Sequence, residues 1–311
     1  MYVNRGGEQS LNIPIELNKV STFSFILKAD KNKLQNILNR DLNNPFDFKF
    51  NYQVLFDYVF LVYAIQNEAT PTDGIGWMPE IDVGFWIPCT SNINKYKILF
   101  YQPYLFVDSG FAMATGREVY GFNKMFGKFQ YSPLDAVQDR FTVETIVPMG
   151  KGQQAIWERV IDIKREKDGD TKFQKSNISD SQDFFINILK KLNGGSDEIR
   201  IPGLNLIINL IEDFVNIDIG MVFLKQFRDT ENPNEACYQS IVEASAKLET
   251  FNGGGFLGDN YQIKLSNYDY YPFCKDFGLS EQTNYPILST WANFEFKMEK
   301  GKTLCAKTTI K

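Results

Sequence analysis

The sequence contains no histidine at all. That absence removes Ser-His-Asp and Cys-His nucleophile pairs and every zinc site that needs an imidazole. Acids and bases must then come from carboxylates, lysine, tyrosine or water. Cysteine is scarce too. Cys89, Cys237, Cys274 and Cys305 lie far apart with no C-x-x-C pair, which reads as reduced thiols in a cytosolic protein. No metal and no cofactor is expected. Long apolar runs are also missing: Val59 to Ile65 and Leu204 to Ile211 are the longest, and both fall well short of the ~20 residues that span a bilayer. Met1 to Asn12 is polar and lacks the apolar core of a secretory signal. A cytoplasmic protein without membrane contact is the expectation. No βαβ alternation, P-loop or G-x-G-x-x-G pattern occurs. The glycine-rich stretch Asn252 to Gly258 lacks the Lys-Ser/Thr of a phosphate cradle and reads as a hairpin or bulged strand.

What is present favours strands. Aromatic residues make up 15% of the chain, with 27 Phe and 15 Tyr, and such side chains suit a half-buried pleated surface. The 33 basic against 38 acidic residues leave a formal charge of −5, so nothing offers a nucleic acid a basic footprint. Period-two alternation or dense apolar composition marks strands at 20–29, 52–66, 97–108, 128–131, 140–147, 154–164, 220–229, 237–244, 261–265 and 291–298. Pro103 inside the third predicts an edge or a bulge. Asp30 caps a short helix through Leu34, Ile37 and Leu38. A second helix starts at Ser181, carries Phe184, Phe185, Ile188, Leu189 and Leu192 on one face, and ends at Gly194-Gly195; a third is expected over 205–216. The pattern is α+β, mainly antiparallel, with a helical insertion between two strand-rich parts.

One run stands out chemically: Gly116-Arg117-Glu118-Val119-Tyr120-Gly121-Phe122-Asn123-Lys124. A lysine among aromatics has two readings. Its stem can lie on apolar neighbours while the ammonium reaches water. Alternatively the amine is desolvated, its pKa falls, and it becomes a nucleophile near neutral pH. The second reading requires burial, because an ordinary lysine of pKa about 10.4 is less than about 0.1% free amine at neutral pH. Upstream, Glu80 and Asp82 sit among Trp77, Phe85 and Trp86. They read either as solvent-facing carboxylates or as a carboxylate held beside an apolar pocket for proton transfer.

The run resembles the lysine motif of the acetoacetate decarboxylase family, a G-R-E-hydrophobic-x-x-aromatic-x-Lys signature. The resemblance implies an acetoacetate decarboxylase-like β-barrel or cone with flanking helices, in a single domain over 1–311 with an insertion at about 176–218. It implies that Lys124 forms an imine with a ketone or keto acid, with decarboxylation or related aldol and dehydration chemistry following. Glu80 matches the family's site glutamate, Glu118 would line the site and Arg117 would brace the turn. Tyr120, Phe122, Trp77 and Trp86, with Gln226 and Arg228, are the substrate-binding candidates, and Lys225 stands beside them. A small-molecule partner and a homo-oligomer are implied. Two positions depart from the family: Met125 replaces the second lysine that activates the first, and Val20 stands near the place of an early arginine. Phe126 and Met125 would then add apolar bulk in place of a charge. The rival expectation is a non-catalytic binding protein that keeps the cavity but not the reaction.

Overall fold

The structure, a computed structural model, describes residues 2–3, 9–74, 76–93, 97–134, 136–148, 152–166, 176–192, 218–258 and 260–308. Thirteen strands pair into one sheet. In chain order they are Ile15–Lys28 (β1), Gln53–Val54 (β2), Tyr58–Pro71 (β3), Met78–Thr90 (β4), Leu99–Val107 (β5), Lys124–Tyr131 (β6), Arg140–Val147 (β7), Ile156–Arg165 (β8), Asp218–Arg228 (β9), Ala236–Phe256 (β10), Tyr261–Leu265 (β11), Leu288–Met298 (β12) and Lys302–Thr308 (β13). The strand order is β11-β8-β7-β6-β5-β9-β10-β12-β1-β3-β4-β2, and β4 also pairs with β5. Pairings therefore return on themselves through β5, β9, β10, β12, β1, β3 and β4, giving a ring of strands from which β6, β7, β8 and β11 extend. All pairings are antiparallel except those of β5 with β6 and with β9. The fold is α+β and dominated by antiparallel strands, as the sequence pattern predicts.

Several elements differ in extent from the sequence reading. The strand expected over 52–66 is two strands, broken at 55–57, and its second part continues to Pro71. The polar residues after Gln66 stay in the sheet because β1 is long enough to pair with them, down to Ile15 opposite Pro71. Pro103 makes a bulge and not an edge: Phe85 faces Tyr104 while Ile87 faces Tyr101, so β5 carries one extra residue. The glycines at 253–255 lie inside β10, opposite Asn293, Ala292 and Trp291 of β12, with a register shift between Phe251 and Gly253. The last helix expected by sequence, at 205–216, and the stop at Gly194-Gly195 fall outside the described residues.

Helices cover both faces of the ring. Asp30 caps Lys31–Leu38 (α1), its carboxylate accepting from the backbone amides of Asn32 and Lys33. Gly110–Thr115 (α2) is capped by Ser109 and leads into a π-helical turn at Gly116–Tyr120. Ser181–Leu192 (α3) and Phe273–Phe277 (α4) complete the described α-helices. Alternation in the strands sorts the side chains. Phe23, Phe25, Leu61, Tyr63, Val83 and Phe85 point into the main core, with α1, α4 and the inner faces of β7 and β8. The alternate residues of the same strands point to the opposite face, which α3 covers. Among the described residues no helix is long and apolar enough to cross a membrane.

Candidate active site

The π-helical turn sets Lys124 in place. Gly121 ends the turn in a left-handed conformation, at φ 98°, and a Cβ there would lie 2.5 Å from the Cα of Lys225 on β9. Only glycine suits both the dihedral and the close approach. Arg117 Nη1 donates to the carbonyl of Lys124 at 3.1 Å, and Asn123 Nδ2 donates to the carbonyl of Pro103 at 2.8 Å. Lys124 thus begins β6 in parallel register with Leu105 of β5. Its stem passes over Gly116, where a Cβ would stand 2.6 Å from Lys124 Cδ. Both glycines of the motif are explained by this packing.

The amine is buried. Lys124 is 6% exposed. Its Nζ donates to Glu80 Oε1 at 2.8 Å, lies 3.5 Å from Asp82 Oδ1, and sits 5.3 Å from the centre of the Phe122 ring. Glu80 and Asp82 are two apart on β4, so the pleat sends both to the same face. Gln66, opposite Glu80 on β3, donates through Nε2 to Asp82 Oδ2 at 3.1 Å. Gln66 Oε1 is buried and has no partner.

Burial and charge act in opposite senses on this cluster. Asp82 is pushed well above the ordinary carboxylate range by burial first and by the neighbouring Glu80 charge second, against the pull of Lys124. Burial alone would lower the pKa of Lys124, but Asp82 and Glu80 together outweigh it and the net direction is upward. The desolvated-amine reading of the sequence requires the opposite direction, which apolar neighbours alone would give; the charges of Asp82 and Glu80 reverse it. Burial thus favours the acid form of Asp82, while the two carboxylates favour the protonated form of Lys124.

The cluster opens onto a cavity of about 340 Å³ lined by strands of the ring. Tyr120, Phe122 and Trp86 line it, as does Gly116. Tyr120 is 2% exposed and its hydroxyl donates to the carbonyl of Glu299 at 3.1 Å. Other candidates lie elsewhere. Trp77 is 61% exposed and Phe126 is 42% exposed. Phe85, one residue out of phase with Trp86, points into the core. Glu118 is half-buried, accepts from the hydroxyl of Tyr2 at 3.1 Å and does not line the cavity. Arg117 is exposed and reaches only the backbone of Lys124. Gln226 and Arg228 are exposed at the end of β9, bonded to Gln239 and to the carbonyl of Pro233. Lys225 lies 5.7 Å from the ring of Phe227. The end of β9 runs past the ring, which is why alternation alone could not place these residues inside it.

Gln66 was not among the sequence candidates for the site, and Asp82 was weighed beside Glu80 but not chosen. Asp82 carried a signal, its i, i+2 spacing from Glu80. Gln66 carried a weaker one, a polar residue in phase with Ala64 and Val62 at the end of an apolar run.

Comparison with known proteins follows the geometry. No family model matches the chain, and no curated protein matches it. Solved structures do. An acetoacetate decarboxylase from Legionella pneumophila superimposes with a TM-score of 0.62 at 11% identity, over 98% of this chain and 93% of that one. An acetoacetate decarboxylase-like enzyme from Sphingomonas wittichii RW1 gives 0.58 at 10% identity, over 98% of both chains. The enduracididine biosynthesis enzyme MppR, solved in complex with pyruvate, gives 0.53 at 11% identity, over 96% of this chain and 93% of that one. The fold is therefore acetoacetate decarboxylase-like.

Proposed function

We propose that the protein is an imine-forming lyase in which Lys124 condenses with a ketone or keto acid. The observation that carries the reading is the burial of one amine against two carboxylates at the wall of an apolar cavity. A free amine does not have to be made by release of a proton to water. Asp82, whose proton affinity is raised, takes the proton of the Lys124 ammonium within the cluster, and an apolar surrounding favours the resulting neutral pair over the separated charges. Nζ then attacks the carbonyl carbon. A C–N bond forms, the oxygen takes a proton from the Asp82–Glu80 pair, and a second transfer expels it as water to leave the iminium ion.

The iminium draws electrons from the neighbouring carbon. Loss of a proton, a carboxyl group as carbon dioxide, or an aldol carbon gives the enamine in each case. The carboxylic acid reprotonates the enamine, and water releases the product and the amine. Glu80, at 2.8 Å from Nζ, and Asp82 supply the acid and base. Tyr120, Phe122 and Trp86 border the reacting carbons. The pyruvate-bound neighbour supports a small carbonyl compound as partner, as does its complex with a condensation product of pyruvate and imidazole 4-carboxaldehyde.

A second reading, a non-catalytic small-molecule binding protein, draws on the same cluster. The raised pKa of Lys124 holds it as an ammonium, which suits a salt bridge as well as a reaction. The two separate by trapping. The protein is incubated with pyruvate, acetoacetate or a 2,4-diketone, reduced with borohydride, and mapped by mass spectrometry. An adduct on Lys124 is expected. Absence of an adduct with every carbonyl would overturn the enzyme reading and leave the binding protein.

A further inference from the structure

We infer that the substrate is an uncharged ketone or aldehyde with a long apolar chain, its carbonyl at Lys124 and its chain in a trough beneath α3. The inference rests on the imine reading for the position of the carbonyl, and on the shape of the cavity for the chain.

Charge argues first. Lys124 is the single cation among the described residues lining the cavity, whereas Glu80, Asp82 and Asp218 are acidic. The one cation is already held by two of them. A substrate carboxylate would enter a low-dielectric space with no partner of its own, next to a like charge, and burying an unpaired charge is costly. A neutral carbonyl has no such penalty.

The strand register defines where the chain goes. Thr22, Ala64 and Asp82 stand abreast on β1, β3 and β4. The next row toward the other end of β1 is Ser24 and Val62, and the one after is Ile26, Phe60 and Trp86. All but Asp82 are apolar or small hydroxyl side chains, and all of them line the cavity. Small residues therefore make a floor running from the carboxylates to an aromatic end wall, where Phe100 packs edge-on against both Phe60 and Trp86 at 6.1 and 5.5 Å. Four residue steps along β4 carry the chain from Asp82 to Trp86, about 13 Å at the usual strand rise.

α3 is the roof. Phe184, Phe185, Ile188 and Leu189 face the cavity. Phe184 packs on Phe294 of β12 and Phe251 of β10, while the carbonyl of Leu192 at the other end of α3 accepts from the hydroxyl of Tyr58 on β3 at 3.5 Å. The helix thus crosses the strands that form the floor. An apolar cavity of about 150 Å³ suffices for benzene. At about 340 Å³ this one would be left mostly unfilled by a three- or four-carbon keto acid.

The test uses a homologous series of methyl ketones, from acetone to methyl nonyl ketone, together with acetoacetate and its long-chain β-keto acid counterpart. Borohydride-trapped adduct on Lys124 is quantified against ketone concentration. Each added methylene should lower the half-saturating concentration about fourfold until the trough is full, and the acids should label at least about tenfold less well than neutral ketones of equal length. Val62→Phe in the floor, and Ile188→Phe in the roof as an independent variant, should cut the ratio of long-chain to short-chain labelling about tenfold. Equal labelling by short and long ketones, or better labelling by the acids, would overturn the inference and leave the imine reading intact. If no carbonyl labels Lys124, the imine reading falls. Chain-length-dependent displacement of an environment-sensitive apolar dye then tests the trough alone, and failure of the long ketones to displace it would overturn the inference as well.

Discussion

Glu80→Gln changes one atom and removes the negative charge nearest the amine. The Nζ–Oε1 separation is 2.8 Å and both side chains are about nine-tenths buried. At an effective dielectric of about 20 this pair attracts by ~6 kcal/mol, which acts to raise the Lys124 pKa. The effect of its loss should be much smaller. The Glu80 charge is one of the causes that raise the Asp82 pKa, so once that charge is gone Asp82 ionises more readily and takes over its role beside the amine. Its Oδ1 is 3.5 Å from Nζ, which restores ~5 kcal/mol. The difference, ~1 kcal/mol, lowers the amine's midpoint only slightly. The double variant Glu80→Gln/Asp82→Asn has no carboxylate to substitute, so burial acts unopposed and the midpoint should drop far below that of the single variant. Reductive methylation of Lys124 with formaldehyde and borohydride, quantified by mass spectrometry across a pH series, reads these midpoints without depending on any substrate. A single variant that shows the whole drop would refute the exchange of charge between the two carboxylates. A double variant whose midpoint matches the parent protein would refute the cluster itself.

Three further predictions follow from the same geometry. Lys124→Met leaves Glu80 and Asp82 buried without a cation, so urea denaturation should show a loss of ~3–5 kcal/mol at neutral pH that shrinks in acid as the carboxylates take up protons. Gly116→Ala places a methyl group 2.6 Å from Lys124 Cδ; labelling of Lys124 should fall at least about tenfold, with ~1–3 kcal/mol of destabilisation from overpacking. Asp82 has its folded pKa raised, so it contributes stability in acid that is lost as pH rises from its unfolded value of about 3.9 through the folded one. Asp82→Asn should flatten the stability profile in that window, and a profile identical to that of the parent protein would show that Asp82 ionises freely in the fold.

The strands were legible in the sequence because alternation is a local property: 140–147 and 261–265 have the observed bounds of β7 and β11. Their pairing was not. Nothing local tells that β5 runs parallel to both β6 and β9, or that β4 closes the ring by pairing with β5. The site divides along the same line. Lys124 and Glu80 stood out through the motif and its resemblance, and Tyr120 and Phe122 lie in phase with it. Trp77 and Trp86 looked alike in composition, yet one lies at the exposed start of β4 and the other in the cavity. Phe85 and Trp86 are neighbours in sequence on opposite faces of one strand. The direction of the Lys124 pKa was unreadable, since it depends on a third group, Asp82, whose own state depends on Glu80.

The ring also constrains how the protein is made. Ser21 of β1 donates to Asn293 of β12 at 2.9 Å across 272 positions of chain, so one wall of the cavity is supplied long after its neighbours have been synthesised. Until β12 arrives, the apolar floor on β1, β3 and β4 has neither a lateral partner on one side nor a closed space to face. Such long-range closure is slow and leaves greasy strand edges open to other chains. A ligand that fills the trough can bind only the closed ring, and by mass action it would draw late, half-closed chains toward the native state. The compound that the cavity accommodates would then act as a clasp, holding the ring shut once β12 has closed it.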